Sequence, residues 1–151
     1  MIRQAKPSDA AAVAACVCKA YIHYIERIGR QPGPMLDDYS QVIRDKQVHV
    51  VSRDGNVVGA IVLDITEEGF YLENVAVDPT SRRSGVGRAL LEFAETEATR
   101  QGFDSIFLAT HEKMFENREL YARIGYVQYD ARVVNGFPRV FFRKALQPYC
   151  E

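Results

Sequence analysis

The stretch Val75-Ala76-Val77-Asp78-Pro79-Thr80-Ser81-Arg82-Arg83-Ser84-Gly85-Val86-Gly87-Arg88-Ala89-Leu90-Leu91 decides the fold. An apolar run enters and Pro79 ends it. A segment of helical periodicity then leaves over residues 85–101. The reading is strand, loop, helix. Two glycines stand at the helix start. A helix N-terminus leaves about four backbone N–H groups without intrahelical acceptors and carries roughly half a positive charge. Glycine removes the side chain that would hold an anion away. The stretch therefore predicts a site for phosphate or pyrophosphate, with Arg82, Arg83 and Arg88 adding positive charge. The alternative is a tight strand-to-helix turn with a solvated basic face.

Upstream, Gln47 to Ser52 and Asn56 to Asp64 read as strands joined by Asp54-Gly55, a strong hairpin signal. Glu67-Glu68-Gly69 turns into a third run, Phe70 to Val77, completing an antiparallel meander. Before it, Ile2 to Ala5 can form a short strand. Ser8 stands at an N-cap position, and Val13, Ala14, Val17 and Tyr21 follow at helical spacing. Residues 30–34 are loop by composition, and Leu36 to Arg44 is a shorter helix. In the helix over 85–101, Val86, Ala89, Leu90, Phe93 and Ala94 form the buried stripe, with Gly102 at the C-terminal cap. Ser105 to Ala109 is a strand and Met114 to Ile124 a helix stopped by Gly125. Tyr126 to Val134 and Arg139 to Lys144 form a closing hairpin around Asn135-Gly136. The order βαα-βββ-α-β-α-ββ indicates one mixed α/β domain over residues 1–151, without repeat, linker or low-complexity tract.

The bulk properties fit. The chain has 151 residues, 47% hydrophobic and 26% charged, with a formal net charge of -1. That length suits one domain with a sizeable core. A nucleic-acid binder would normally show a basic excess, so none is expected as partner. Cys16, Cys18 and Cys150 are too few and too poorly spaced for a disulfide scaffold or a zinc site, so reduced thiols and no metal are expected. No apolar run approaches the roughly 18–20 residues of a membrane span, and the N-terminus lacks a signal-peptide pattern. The expectation is a cytoplasmic protein.

Two other phosphate loops fit less well. A nucleotide P-loop needs Lys-Ser/Thr after its last glycine, and Arg88-Ala89 follows here. A dinucleotide fingerprint needs a third glycine or alanine inside a βαβ unit, and here Leu90 stands at that position after antiparallel strands. The stretch instead resembles the signature of the GNAT N-acetyltransferase superfamily, Gln/Arg-x-x-Gly-x-Gly/Ala, which reads Arg82-Arg83-Ser84-Gly85-Val86-Gly87. The preceding Val-Asp-Pro, the following Leu-Leu and the element order over nearly the whole chain are similar too. The resemblance implies a central, mostly antiparallel twisted sheet flanked by helices, with acetyl-CoA as acyl donor.

Met114-Phe115-Glu116-Asn117-Arg118-Glu119-Leu120-Tyr121-Ala122-Arg123-Ile124-Gly125-Tyr126 looks like the family's second signature. The commonest form carries Asn seven residues before the Tyr and Ala four before it; here Met114 and Asn117 stand instead. Met114, Asn117 and Tyr121 share one helix face. The resemblance implies Asn117 as a contact to the cofactor's pantetheine arm or adenosine side. It implies Tyr121 as the general acid that protonates the departing CoA thiolate; without it, a core tyrosine is the plain reading.

By the same resemblance the pantetheine arm lies where two central strands splay apart, held by backbone groups of Val75, Ala76 and Val77. The Ser84 to Arg88 turn, with Arg82 and Arg83, takes the phosphates. The N–H of Val77 is a candidate to stabilise the tetrahedral oxyanion. An amine is mostly protonated at neutral pH, so a proton acceptor is needed. Period-two alternation puts Glu73 on the face of Val75 and Val77, and Glu73 can serve as base, directly or through a water; an ordinary ion-paired strand carboxylate is the alternative. His111 is a weaker candidate, and His23 and His49 offer no constellation.

In the resembling fold the acceptor site is built from segments that correspond here to residues 21–39 and 132–139. Tyr21, Tyr24, Glu26, Asp37, Asp38 and Tyr39 would suit a cationic amine, or simply form a solvated loop. The acceptor is a small-molecule or peptide amine, and the protein a monomer or homodimer. The competing function is a non-catalytic acyl-CoA-binding regulatory module.

Overall fold

A computed structural model describes residues 2–147; Cys150 lies outside them. The chain divides into two compact units, Met1–Asp64 with Glu73–Phe93 and Ile65–Leu72 with Ala94–Glu151.

The first unit contains β1 (Ile2–Gln4), α1 (Ala10–Tyr21), α2 (Tyr24–Ile28), α3 (Tyr39–Asp45), β2 (Gln47–Arg53) and most of β3 (Asn56–Thr66). It also holds the end of β4 (Gly69–Val77) and the start of α4 (Val86–Arg100). Its strands are hydrogen-bonded in the order β1-β2-β3-β4. The β1–β2 and β2–β3 pairings are antiparallel. Asp54 and Gly55 both take positive φ (51° and 79°), the two-residue hairpin turn that Asp-Gly favours. Val13, Val17, Val48, Val50, Ile61, Leu63 and Leu90 are buried at its centre. Each such side chain contributes roughly 1.5–3 kcal/mol of burial.

Expectations for the first two predicted helices need correction here. Ser8 does not cap α1. It lies inside a 3-10 turn (Pro7–Asp9), and Asp9 takes the cap position, where its carboxylate accepts the Lys6 N–H at 2.7 Å and pairs with Arg3 at 2.8 Å. The buried face of α1 is Val13, Cys16, Val17, Ala20 and Tyr21, while Ala14 is exposed. The shorter helix expected from Leu36 is α3, which starts at Tyr39 because the Asp38 carboxylate accepts the Ser40 N–H at 3.0 Å, whereas Gly33–Leu36 forms its own 3-10 turn.

Helix α4 seats closely on β3. A Cβ at Gly59 would stand 2.6 Å from Val86 Cγ1 and 3.2 Å from Leu90 Cδ1, so only glycine permits this approach. Val86, Leu90, Leu91, Ala94 and Ala98 are its buried residues; Ala89, expected in the stripe, is exposed, and Phe93 is half-buried against His49 with ring centroids 4.6 Å apart. The helix ends as predicted at Gly102 (φ 91°), with the Phe103 N–H donating to Ala98 O at 2.9 Å.

The second unit holds Gly69–Leu72 of β4, the end of α4, β5 (Ser105–His111), α5 (Phe115–Arg123), β6 (Val127–Val134) and β7 (Phe137–Ala145). Their order is β4-β5-β7-β6. β4 and β5 run parallel through Phe70↔Ile106, Tyr71↔Phe107 and Leu72↔Leu108; β5–β7 and β6–β7 are antiparallel. Asn135 and Gly136 form the second positive-φ hairpin turn (51° and 80°). Phe70, Leu72, Ala94, Ala98, Ile106 and Leu108 are buried here. The class is the mixed α/β one expected, with mostly antiparallel strands.

Candidate active site

In the first unit, β4 hands over to the phosphate-loop candidate at Asp78. Its N–H donates to Val58 O at 2.8 Å. Its carboxylate caps the following 3-10 turn (Pro79–Ser81), accepting from Thr80 N and Oγ1 at 3.0 and 2.9 Å. Those bonds, and Lys19 at 3.6 Å, hold the Asp78 carboxyl below the usual carboxylate range. The Ser84 hydroxyl closes onto Ser81 O.

Arg83 (φ 65°) and Gly85 (φ 87°) then take left-handed conformations. Alternating backbone hand of this kind favours a concavity lined by N–H groups, an anion nest, although the Ser84 N–H here is given to Ser81 O at 3.4 Å. For Arg83 this costs roughly 1–2 kcal/mol, a strain of the kind that gathers at ligand sites. The first intrahelical bond of α4 is Ala89 N–H to Gly85 O, 3.0 Å. The N–H groups of Val86, Gly87 and Arg88 therefore have no acceptor within the helix. A Cβ at Gly87 would meet only Val77 Cγ2, at an ordinary 3.5 Å, and one at Gly85 would meet open space. Packing therefore does not demand a bare Gly87. Arg82, Arg83 and Arg88 are exposed, and Arg88 pairs with Glu92 at 3.3 Å. The residues present fit a pyrophosphate.

Along β4, burial alternates strictly. Glu73, Val75 and Val77 share the half-buried face, as period two predicts, and Ala76 the buried one. Glu73 is ion-paired with Lys46, both partly buried. Asn74, missed by the sequence reading, is buried and hydrogen-bonded. Its Oδ1 accepts from Tyr21 Oη at 2.9 Å and its Nδ2 donates to Tyr39 Oη at 3.1 Å. Tyr21 Oη also reaches Val75 O at 3.1 Å. A polar residue in a strand's buried row was the available signal.

Of the acceptor-segment residues, Tyr21, Tyr24 and Tyr39 are buried, whereas Glu26, Asp37 and Asp38 are exposed. The aromatics there are core. Cys16 is buried, and burial together with Asp78 pushes its thiol up to about 11, so it is inert at neutral pH; Cys18 is exposed.

In the second unit, Tyr121 sits buried on α5 with its ring 5.7 Å from that of Tyr126 and 6.3 Å from that of Phe142. Tyr126 Oη is buried without a hydrogen-bond partner, and burial raises its pKa. Asn117 donates through Nδ2 to Met114 Sδ at 3.6 Å, and Thr110 Oγ1 reaches the same sulfur at 3.5 Å. Helix α5 starts at Phe115 with Met114 as its N-cap residue, outside the helical conformation, so the predicted shared helix face holds for Asn117 and Tyr121 and Met114 only adjoins it through Asn117. His111 closes β5, its Nδ1 accepting the Lys113 N–H at 3.1 Å. Arg132, in the other acceptor segment, is tied to Glu68 at 2.7 Å and to Asp130, over the Phe141 ring.

Residues 19–126 match the acetyltransferase (GNAT) family. The IAA acetyltransferase of Azospirillum brasilense is 31% identical over 117 residues, covering 71% of this chain and 76% of that protein. The chain belongs to this family. It is an acyltransferase that uses acetyl-CoA for acetyl transfer. Among solved structures, a GCN5-related N-acetyltransferase from Rhodopseudomonas palustris superposes with a TM-score of 0.80 at 19% identity, over 97% of this chain and 95% of that one. A streptothricin acetyltransferase from Bacillus anthracis, solved with acetyl coenzyme A, gives 0.61 at 20% identity, over 68% and 64%. These two likenesses are of fold. Among the described residues no helix is long and apolar enough to cross a membrane.

Proposed function

We propose that residues 1–151 act as a single N-acetyltransferase domain, passing the acetyl group of acetyl-CoA to a primary amine by direct attack through a tetrahedral intermediate. The observation that carries the donor assignment is the nest at Arg83 and Gly85 followed by the three acceptor-free N–H groups of Val86, Gly87 and Arg88. These groups, with Arg82 and Ser84, bind the pyrophosphate of the donor. Backbone groups of Val75, Ala76 and Val77 hold the pantetheine arm. The ladder of β4 with β5 comprises Phe70, Tyr71 and Leu72, and Glu73–Val77 lie beyond it, which supports that role. Asn117 adds a contact to the same cofactor; its bond to a thioether is weak enough to exchange.

Glu73 takes the proton of the attacking amine. A cationic acceptor would displace Lys46, whose ammonium occupies that carboxylate in the free protein. The N–H of Val77 stabilises the oxyanion, and Tyr121 protonates the leaving thiolate. The acceptor is a small-molecule or peptide amine. The reaction belongs in the cytoplasm, where thiols such as Cys16 and Cys18 stay reduced.

Thermal unfolding with acetyl-CoA, CoA, NAD and ATP in parallel tests the reading. A ligand at about a hundred times its Kd stabilises the fold by roughly 2.7 kcal/mol. A shift with the CoA species alone supports it. A larger shift with a nucleotide would overturn it. Acetyl-CoA binding without turnover across a broad amine panel would leave a regulatory module.

A further inference from the structure

We infer that Tyr21, Asn74 and Tyr39 are positioning residues that hold the Val75 peptide unit in place for the pantetheine arm of the donor. The inference rests on the donor reading above. In the buried row of β4, Phe70, Leu72 and Ala76 are apolar and Asn74 alone is polar. Burying an amide there is unfavourable unless it is hydrogen-bonded, and an apolar residue would pack as well. Asn74 is 6% exposed, with Tyr21 at 8% and Tyr39 at 4%, so water does not serve this group.

The bonds form a directed chain. Asn74 Nδ2 donates to Tyr39 Oη, which in turn donates to Pro34 O at 2.6 Å. Asn74 Oδ1 and Val75 O share the Tyr21 hydroxyl, at 2.9 and 3.1 Å. The chain ends at main-chain carbonyls of two segments: Val75 on the strand assigned to the donor, and Pro34 in the turn before α3. The Val75 carbonyl and the Ala76 N–H belong to one peptide unit. A donor on that oxygen fixes the plane of the unit, and with it the side of β4 to which the Val75 carbonyl is presented. A network required only for packing has no reason to terminate there.

The test is calorimetric titration of wild type, Tyr21→Phe and Tyr39→Phe with two probes, acetyl-CoA and the adenosine bisphosphate fragment of CoA, which lacks the pantetheine arm. Loss of one net hydrogen bond corresponds to about a three- to tenfold change. Tyr21→Phe is expected to weaken acetyl-CoA by that factor and leave the fragment unchanged. Tyr39→Phe, one bond further away, should act in the same direction by less, and it carries the test if Tyr21→Phe fails to fold. Unchanged acetyl-CoA binding in the folded variants, or equal weakening of both probes, overturns the inference and leaves the network a packing device. Wild type that binds neither probe overturns the donor reading itself, and that arm separates the two failures.

Discussion

Gly59→Ala tests the seating of the phosphate loop. The added methyl would stand 2.6 Å from Val86 Cγ1, against an ordinary carbon contact of about 3.5–4.0 Å. Val86 cannot swing aside, because a β-branched residue in a helix has one strongly preferred rotamer. The first turn of α4 must therefore retreat by about 1 Å. Such overpacking costs about 1–3 kcal/mol. Alanine recovers roughly 0.5–1 kcal/mol over glycine in a strand interior, too little to cancel it. The expected net loss reaches about 2.5 kcal/mol, which for a chain of this size lowers Tm by up to roughly 10 °C. Because the N–H groups of Val86, Gly87 and Arg88 ride on that turn, acetyl-CoA affinity should fall as well. Scanning calorimetry and titration measure the two effects. Adding Val86→Ala removes the clashing methyl, so the double variant should lose less than the sum of its singles. A Tm for Gly59→Ala at or above wild type, or strict additivity in the double variant, would refute the reasoning.

Three further outcomes are expected. Tyr121→Phe should keep the fold and lower amine-dependent CoA release by about a hundredfold or more, as loss of a general acid does; an unchanged rate removes Tyr121 from that role. The Asp9 carboxyl, held at about 2 by its bonds from Arg3 and the Lys6 N–H against an ordinary 3.8, is depressed in the fold. Its contribution is present above pH about 4 and lost as pH falls towards about 2; Arg3→Ala should flatten that part of a Tm-against-pH curve, and an unaltered curve counts against the pairing. In native protein a thiol reagent should modify Cys18 quickly and Cys16 only on unfolding, since Cys16 is buried with its thiol pushed up to about 11. Mass mapping that finds Cys16 labelled first would contradict this.

The fold was readable where the signal is local. Asp54-Gly55 and Asn135-Gly136 announce their turns because almost nothing else accepts two consecutive positive φ angles. The strand-loop-helix over residues 75–91 carries its own punctuation in Pro79, Gly85 and Gly87. Ala14 and Ala89 were misplaced for an equally local reason: alanine is small enough to sit on either side of a helix, so its place in a periodic pattern decides nothing. Residue type alone points to Ser8 at the start of α1, whereas Arg3 and the Lys6 N–H select Asp9.

The candidate site divides along the same line. Positions on a strand follow from alternation, so Glu73, Val75 and Val77 were rightly put on one face. Partners do not follow, because they come from distant segments. Lys46 reaches Glu73 from the end of α3, and Tyr21 and Tyr39 reach Asn74 from two helices. This bears on the acceptor. The aromatics in residues 21–39 looked like a surface for a cation, but Tyr21, Tyr24 and Tyr39 are buried. What that segment offers solvent is charge of both signs, Arg27 and Arg30 beside the carboxylates Glu26, Asp37 and Asp38. If the carboxylates attract a cationic amine, the attraction acts over distance and is screened. Acceptor KM should then rise with salt over the range where the Debye length shrinks from about 30 Å to about 8 Å, while kcat holds. A salt-independent KM would mean that selection rests on contacts at Glu73 and Lys46 instead.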